Sequence, residues 1–349
     1  MKAPFVWFGG KRRVADKVWT ALGDVDNYVE PFAGSLAVLL ERPHNLNDGT
    51  RRAETVNDAD GFIANFWRAL AADPEAVAYH CDWPVNEVDL FARHLWLVNT
   101  GRSILLNNME ADPDFYDAKI AGWWVWGINA WIGSGWCSGT GPWMTDDDGI
   151  VRQRPHLGDA GQGVKRQRPH LGDAGQGVNR QLPHLGDAGR AGYNNLEYKP
   201  NVLGYFEALA ARLRDTRVCC GDWSRVVTRG ALSYGSAVGV FLDPPYLGDV
   251  RTADLYAVDD HTIAHEVCQW AIDNGDDLRL RIVLAGYSDE HDHLIPDTWR
   301  RIRYSASAAY QTTANKGGQN AENRHKEVLW LSPHCVEESA QLDLFGGAA

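Results

Sequence analysis

Apolar positions alternate between a helical and an extended period at both ends of the chain, and the alternation lapses in the middle. Val14, Val18 and Leu22 recur at helical spacing, and Asn27, Tyr28, Val29 and Glu30 then read as a strand. Pro31 to Ser35 turn the chain, and residues 36–40 continue as a short apolar helix. Glu54, Thr55, Val56, Asn57 and Asp58 predict a second strand that ends in an acid. Residues 61–70 place Phe62, Phe66, Trp67 and Leu70 on one helical face, which is expected to pack this unit against the sheet. The same order resumes near Leu203. Leu203, Phe206, Leu209, Ala210 and Leu213 mark a helix, residues 216–220 a strand, and Val240, Phe241 and Leu242 the end of a wholly apolar, buried strand. A helix over 262–274, a strand over 281–285 and a closing hairpin from 303–310 and 327–331 complete the pattern. Strands that alternate with helices predict an α/β fold on an open sheet.

From about residue 71 to 195 that pattern is replaced. Phe91, Leu95, Val98, Ile104 and Leu105 predict a helix or helix pair in a separate packing unit. Trp123, Trp124, Trp126, Trp131 and Trp136 then crowd together among glycines, with Trp143 shortly after. Rings of that size can form the core of a small domain; they can also stack on unpaired bases or wedge into a duplex. A repeat with a period of 14 residues follows: the run that begins at Arg152 recurs from Arg166 and, with Leu182 replacing an arginine, from Arg180. Each unit is rich in Gly, Pro and Asp and buries little surface alone, so stacked turns or a surface loop are expected. Its Arg, Gln and His suit DNA grooves and phosphates, while a duplicated insertion without a task is the other reading. The domain expectation is one α/β part formed by 1–70 and 200–333, an inserted region over 71–199 and a peripheral tail, 334–349.

Composition narrows the class. Hydrophobic residues make up 44% of 349, enough for one large domain or two. No apolar run approaches the roughly 20 residues that span a bilayer. The N-terminus reaches Lys11, Arg12 and Arg13 without a signal-type apolar segment, so a cytoplasmic location without a membrane partner is expected. The cysteines lack CxxC spacing, which predicts neither zinc nor a disulfide framework. A net charge of -12 argues against a protein that coats nucleic acid by bulk positive charge. Clustered arginines, at Arg12 and Arg13 or Arg300, Arg301 and Arg303, still leave local phosphate contacts open.

The chemistry concentrates where the apolar strand ends, at Asp243, Pro244, Pro245 and Tyr246. Neither proline has a backbone N–H, and an ionised Asp243 only accepts hydrogen bonds. Such a turn suits a substrate that brings N–H groups, and an exocyclic amine is one. Accepting its protons pulls its lone pair out of ring conjugation, and Tyr246 is placed to stack on the attached ring. Upstream, Gly9, Gly10 and Lys11 open a helix in a way that can bind an anion, although the spacing fails the GxxxxGK pattern of nucleotide hydrolases. The strand, turn and helix over 27–40 form the usual crevice of an α/β sheet, and Asp58 at the next strand end is the type of acid that holds ribose hydroxyls. The loop 247–261, with Arg251, Asp254, Tyr256, Asp259 and Asp260, reads as a lid over a bound base or as a solvated connector.

Trp7 with Gly9-Gly10-Lys11, then Glu30-Pro31-Phe32-Ala33-Gly34-Ser35, then Asp58, then Asp243-Pro244-Pro245-Tyr246, in this order, resemble the DNA adenine N6-methyltransferase family. The resemblance implies a Rossmann-like fold with a seven-stranded mixed sheet whose last strand is antiparallel, S-adenosyl-L-methionine as cofactor, adenine-containing DNA as partner and no need of a metal. It implies cofactor contacts from Trp7, Gly10, Lys11, Glu30, Pro31, Phe32, Ala33, Gly34, Asp58, Asp222 and Asp243. Phe32 to Gly34 would approach the methionine end and Asp222 the adenine pocket, with a plain turn role as the competing view of Asp222. Asp243, Pro244, Pro245 and Tyr246 would handle an adenine flipped from the duplex. Leu36 stands where the family often carries a second glycine, so its side chain is expected to turn away into the sheet. Cytosine N4 is a rival target, although serine is commoner than Asp before the prolines there. A binding module on an inactive methyltransferase fold is the rival from another class. The recognised DNA sequence, a partner nuclease in a restriction-modification setting and the oligomeric state are not legible in the chain.

Overall fold

The computed structural model describes residues 1–5, 7, 11–43, 52–131, 136–137, 143–146, 149–152, 202–245, 260–304 and 327–337. Gly10, Tyr246, the repeats beyond Arg152, residues 247–259 of the expected lid and the tail from 338 lie outside the described residues. The strands are β1 (Asn27–Glu30), β2 (Ala53–Asp58), β3 (Trp143–Asp146), β4 (Gly149–Arg152), β5 (Thr216–Cys220), β6 (Val238–Leu242), β7 (Leu280–Tyr287), β8 (Arg300–Arg303) and β9 (Glu327–Leu331). The helices are α1 (Ala15–Leu22), α2 (Gly61–Ala72), α3 (Pro74–Cys81), α4 (Glu87–Trp96), α5 (Arg102–Met109), α6 (Ala118–Ala130), α7 (Val202–Leu213), α8 (Asp260–Asn274) and the single turn α9 (Ser288–His291). The chain forms two compact units, a sheet unit from residues 1–2, 7–60 and 215–349 and a helical unit from 3–6 and 61–214.

The sheet unit carries a 7-stranded sheet of order β5-β2-β1-β6-β7-β9-β8. Its strands run parallel except β9, which pairs antiparallel with β7 and with β8. This is a mixed α/β sheet, as expected from the alternating periods. β6 is buried along its whole length, and its alternate residues serve two layers. Val238, Val240 and Leu242 join Val267, Cys268 and Ala271 of α8 in one core cluster. On the other face Gly239 lets Leu22 and Val25 approach: a methyl group there would stand 3.1 Å from Val25 and 3.3 Å from Leu22. Burial on both faces explains why β6 reads as a continuous apolar run.

Two expectations from periodicity are corrected in this unit. The apolar run 36–40 yields only a short 3-10 turn, Leu39–Glu41. Leu36 has a left-handed φ of 54°, which a right-handed helix cannot include. The outer strand of the closing hairpin is Arg300–Arg303, ahead of the expected 303–310. It is an edge strand with a single apolar residue, Ile302, so no alternation announces it.

The amino end of the sheet is tied by a buried ion pair. Arg42 Nη1 lies 2.9 Å from Glu54 Oε1, its Nη2 donates to the Val25 carbonyl at 2.6 Å, and Thr216 Oγ1 donates to Glu54 Oε2 at 2.9 Å. The Arg42 guanidinium also lies over the Trp19 ring at 5.1 Å. One cluster thus joins α1, the end of the 3-10 turn, β2 and β5.

In the helical unit, Asp73, Asn86 and Asp117 cap α3, α4 and α6 by accepting from Ala76, Asp89 and Ile120 amides. The expected helix or helix pair over 91–106 is α4 and α5 joined without a break by a π-helical turn, Leu97–Gly101. β3 and β4 form an antiparallel hairpin. α2 and α7, which periodicity alone joins to the sheet part of the chain, belong here: Phe66 of α2 meets Trp124 of α6 at 5.7 Å and Phe206 of α7 at 6.2 Å. Their apolar faces find aromatic partners on neighbouring helices. Of the tryptophans, Trp124 and Trp126 are 2% exposed and form core, whereas Trp123, Trp131 and Trp136 are half-buried. Trp126 Nε1 donates to the Trp83 carbonyl at 2.8 Å, which satisfies the one polar atom that its burial would strand.

Removing one member of the buried pair should be costly. Arg42→Met leaves Glu54 with Thr216 as its remaining partner named above and is expected to lower stability by about 3 kcal/mol, whereas adding Glu54→Leu should recover part of that loss. Urea unfolding of the two variants checks both signs.

Candidate active site

The parallel order brings the carboxyl ends of β5, β2, β1 and β6 to one edge of the sheet, so Asp222, Asp58, Glu30 and Asp243 follow one another along it. β1 and β6 are neighbours where the strand order reverses, since the chain moves outward from β1 to β2 and β5 and restarts at β6 on the other side. Ligands of open α/β sheets bind at that point. Because β9 runs the opposite way, its first residue, Glu327, reaches the same edge opposite Tyr287 at the end of β7.

Asp243 is held by Lys11, whose Nζ lies 2.9 Å from Oδ1; Lys11 is 6% exposed and Asp243 19%. Lys11 begins a 3-10 turn, Lys11–Val14, that runs into α1, so the helix fixes the position of the ammonium. Pro244 is buried and Pro245 half-buried directly after the carboxylate. The turn therefore offers acceptors with no backbone donor of its own at either proline.

Glu30 lies next to it on β1, 3% exposed. The Tyr28 hydroxyl donates to Glu30 Oε2 at 2.9 Å, since residues two apart share one face of a strand. The Leu39 amide also bonds to the carboxyl. Burial pushes the Glu30 carboxyl up to about 8, the Tyr28 bond opposes the rise and the Asp243 charge adds to it. Glu30 thus faces inward and supports the segment that returns from the 31–38 loop.

Asp58 ends β2 and accepts two backbone amides, Gly34 N at 2.8 Å and Asp60 N at 2.9 Å. Burial raises its carboxyl to about 7, helped by the Asp60 charge and opposed by both amides. Gly34 has φ 45°, and a methyl group on it would fall 2.7 Å from Cδ1 of Trp7. Trp7, Gly34 and Asp58 therefore form one contiguous patch in which only a glycine fits beneath the indole. Leu36 does turn inward, fully buried, so the site lacks a glycine there but keeps its left-handed backbone.

Asn57, which sequence reasoning treated only as part of a strand, locks two loops together. Its Nδ2 donates to the Pro31 carbonyl at 3.0 Å and to the Gly221 carbonyl at 2.9 Å, while its own carbonyl accepts the Ala33 amide at 2.9 Å. Phe32 stacks on Trp223 with ring centroids 6.3 Å apart, across the same two loops. Asp222 is exposed and caps the turn Trp223–Val226 by accepting the Ser224 amide at 2.9 Å and the Ser224 hydroxyl. The sequence signal for Asn57 is its place just before the strand-end acid. For Glu327 no local signal exists, because only the antiparallel direction of β9 brings it to this edge.

The structure thus gathers Trp7, Lys11, Glu30, Pro31, Phe32, Ala33, Gly34, Asp58, Asp222, Asp243, Pro244 and Pro245 at one edge of the sheet. A mixed seven-stranded α/β sheet with acids at its carboxyl edge is consistent with the methyltransferase fold. Residues 7–90 match the family model for D12 class N6 adenine-specific DNA methyltransferase, which supports a DNA adenine methyltransferase family for this chain. The matched segment includes Trp7, Lys11, the 30–34 turn and Asp58, and stops short of Asp243. Among curated proteins none matches the chain. Among the described residues no helix is long and apolar enough to cross a membrane, and no group of three or more His, Cys, Asp or Glu could hold a metal ion.

The raised carboxyls have a thermodynamic consequence. A carboxyl whose folded pKa lies above its unfolded value contributes stability that is whole below the unfolded pKa and lost as pH rises through the folded one. For Asp58 the window runs from the ordinary 3.8 to about 7. Stability should fall across it, and Asp58→Asn should flatten that part of the profile while keeping an acceptor for the Gly34 amide. Urea midpoints measured from pH 4 to pH 8 check this.

Proposed function

We propose that the enzyme transfers a methyl group from S-adenosyl-L-methionine to the N6 amine of adenine in DNA, at a target site from which the adenine is flipped out of the duplex. The observation that carries the reading is the Asp243 carboxylate, fixed by Lys11 at the point where strand order reverses and followed by two residues without N–H. The donor set also fits the cofactor. A cationic nucleoside needs acceptors for its ribose hydroxyls and a flat surface, and Asp58, Gly34 and Trp7 supply these one strand away from Asp243.

Bound S-adenosyl-L-methionine supplies an electrophilic methyl group on a sulfonium. Asp58 would accept from the ribose hydroxyls, and its ionised form, an acceptor at both oxygens, is the one that binds. The Phe32 to Gly34 loop, held by Asn57, approaches the methionine end, and Asp222 stands by the adenine pocket. Asp243 and the Pro244 carbonyl accept the two N6 protons of the target base, which concentrates the lone pair on nitrogen, and Tyr246 stacks on the ring. The C–N bond would form as the sulfonium S–CH3 bond breaks and leaves a neutral thioether, and one N6 proton would pass to the Asp243 carboxylate and from there to solvent. Positioning supplies much of the rate, since the chain contributes acceptors and orientation and no covalent step.

The sheet unit is read as the catalytic domain and the helical unit, with the repeats, as the target-recognition region. Half-buried Trp96 and Trp123 flank the Lys119 ammonium at 4.4 and 4.5 Å, an arrangement that suits base stacking beside a phosphate. A cytoplasmic location is compatible with a DNA substrate.

Asp243→Ala is expected to abolish transfer of tritiated methyl groups to DNA, at least about a thousandfold below the native enzyme on the scale of a lost catalytic acceptor; retained transfer would remove Asp243 from the centre. Digesting the product to nucleosides should give N6-methyl-2′-deoxyadenosine, and N4-methyl-2′-deoxycytidine would transfer the assignment to the rival amine. Cofactor affinity measured by calorimetry should rise as pH passes through about 7, where Asp58 ionises, and absence of any binding would favour a module without activity.

A further inference from the structure

The helical unit holds a buried guanidinium with no hydrogen-bond acceptor at one of its nitrogens. Asp89, Arg93 and Trp96 recur along one face of α4, and Lys119, Trp123 and Trp126 along one face of α6. Where the two faces meet, the Arg93 guanidinium lies over three indoles, Trp126 at 4.2 Å, Trp123 at 5.1 Å and Trp83 at 5.5 Å. Arg93 is 8% exposed, and its buried Nη1 meets no acceptor. Asp89, one turn earlier on α4, gives its Oδ2 to other donors, Trp83 Nε1 at 2.9 Å and Asn86 Nδ2 at 2.6 Å. On the far side of Trp123, the Lys119 ammonium lies 4.4 Å from the Trp96 ring and 4.5 Å from the Trp123 ring. Two cations thus alternate with indole rings along one row.

Ring faces attract a positive charge but offer its N–H groups no lone pair, so Nη1 carries the cost of an unmade hydrogen bond. A phosphate supplies the missing acceptor in a geometry that a guanidinium matches. Trp83 stands at the entrance: it is 47% exposed and the most distant of the three rings from Arg93. Its backbone is anchored through the carbonyl, which accepts Trp126 Nε1 at 2.8 Å, while its ring is tied to Asp89 by an exposed hydrogen bond that water can replace. Turning the ring outward uncovers the guanidinium and presents a flat apolar face. We propose that Arg93 and Trp83 form a subsite for an unpaired nucleotide of the DNA, in which Trp83 stacks on the base and Arg93 takes the phosphate beside it. A base inside a stacked duplex has no free face for Trp83, so the subsite favours single-stranded over paired DNA. A carboxylate-bearing peptide would satisfy Arg93 and leave the exposed indole unused. The proposal rests on the reading of DNA as the substrate.

The test is binding of the full chain to a single-stranded oligodeoxynucleotide and to the same sequence paired with its complement, followed by tryptophan fluorescence and by anisotropy of the labelled DNA. Native protein should show quenching by the single strand. Trp83→Ala, a change at an exposed ring that leaves the helices packed, should lose part of that quenching and weaken single-strand binding about tenfold, with a smaller loss on the duplex. Arg93→Met should flatten the slope of log affinity against log salt by about 0.7 on the single strand, measured over about 50 to 200 mM salt, a change that a purely structural role would not produce. Native quenching and native salt slope in the two variants overturn the proposal, as does a Trp83→Ala loss equally large on paired DNA. Displacement of the oligonucleotide by polyglutamate of equal charge in native protein, with no such displacement in Arg93→Met, assigns the subsite to carboxylates and also overturns it. A native protein that binds neither form of DNA overturns the DNA reading itself, and the proposal falls with it.

Discussion

Parallel strands deliver their last residues to a common edge, and in this sheet most of those strands end in or beside an acid. Carboxylates brought together where water is scarce cannot all stay ionised and unsupported. Each of the four is accommodated differently. Asp243 takes an ammonium, Asp58 two backbone amides, Glu30 a tyrosine hydroxyl and a raised affinity for its proton, and Asp222 stays exposed to cap a turn. The environment sorts identical chemical groups into an ammonium partner, an acceptor of two amides, an internal brace and a cap. Neither carboxylates alone nor their spacing in the chain would distinguish these.

Acceptors are useful only if the loops that carry them hold still, and two devices provide that. Asn57 takes up the carbonyls of both flanking loops from the end of β2, so the turn after β1 and the turn after β5 share one anchor. Leu36 accepts a left-handed backbone that costs roughly 1–2 kcal/mol for a residue with a Cβ. Its fully buried side chain returns an amount of about the same size or larger. The loop geometry that a glycine would give freely is here stabilised by core packing, which leaves Gly34 as the position where close approach to Trp7 is indispensable.

The helical unit shows the same division of labour among one residue type. Trp124 and Trp126 are sealed into a cluster of aromatic and apolar groups, with Phe5 and Phe66 within 5.0 and 5.7 Å of Trp124. Trp123, only one position away in sequence, faces Lys119 and Trp96 and keeps part of its ring accessible. Successive residues on a helix point about 100° apart, so adjacent tryptophans cannot serve one environment.

The sequence by itself determined the α/β class, the strands that end in Glu30, Asp58 and Asp243, and the donor-poor turn at Pro244 and Pro245, because period, proline chemistry and side-chain inventory are local properties. Most helices and strands were legible for the same reason. What misled was also local: the run 36–40 is apolar enough for a helix, but Leu36 turns left-handed, and Arg300–Arg303 pairs as an edge strand without any apolar alternation. Tertiary structure alone decided which helices share a core, since the faces of α2 and α7 are apolar whichever partner they meet. It alone decided the charges of the acids, which depend on burial and on neighbours distant in sequence. And it alone brought Lys11 to Asp243 and Glu327 to the same edge of the sheet, because strand order and direction, not spacing along the chain, set which ends meet there.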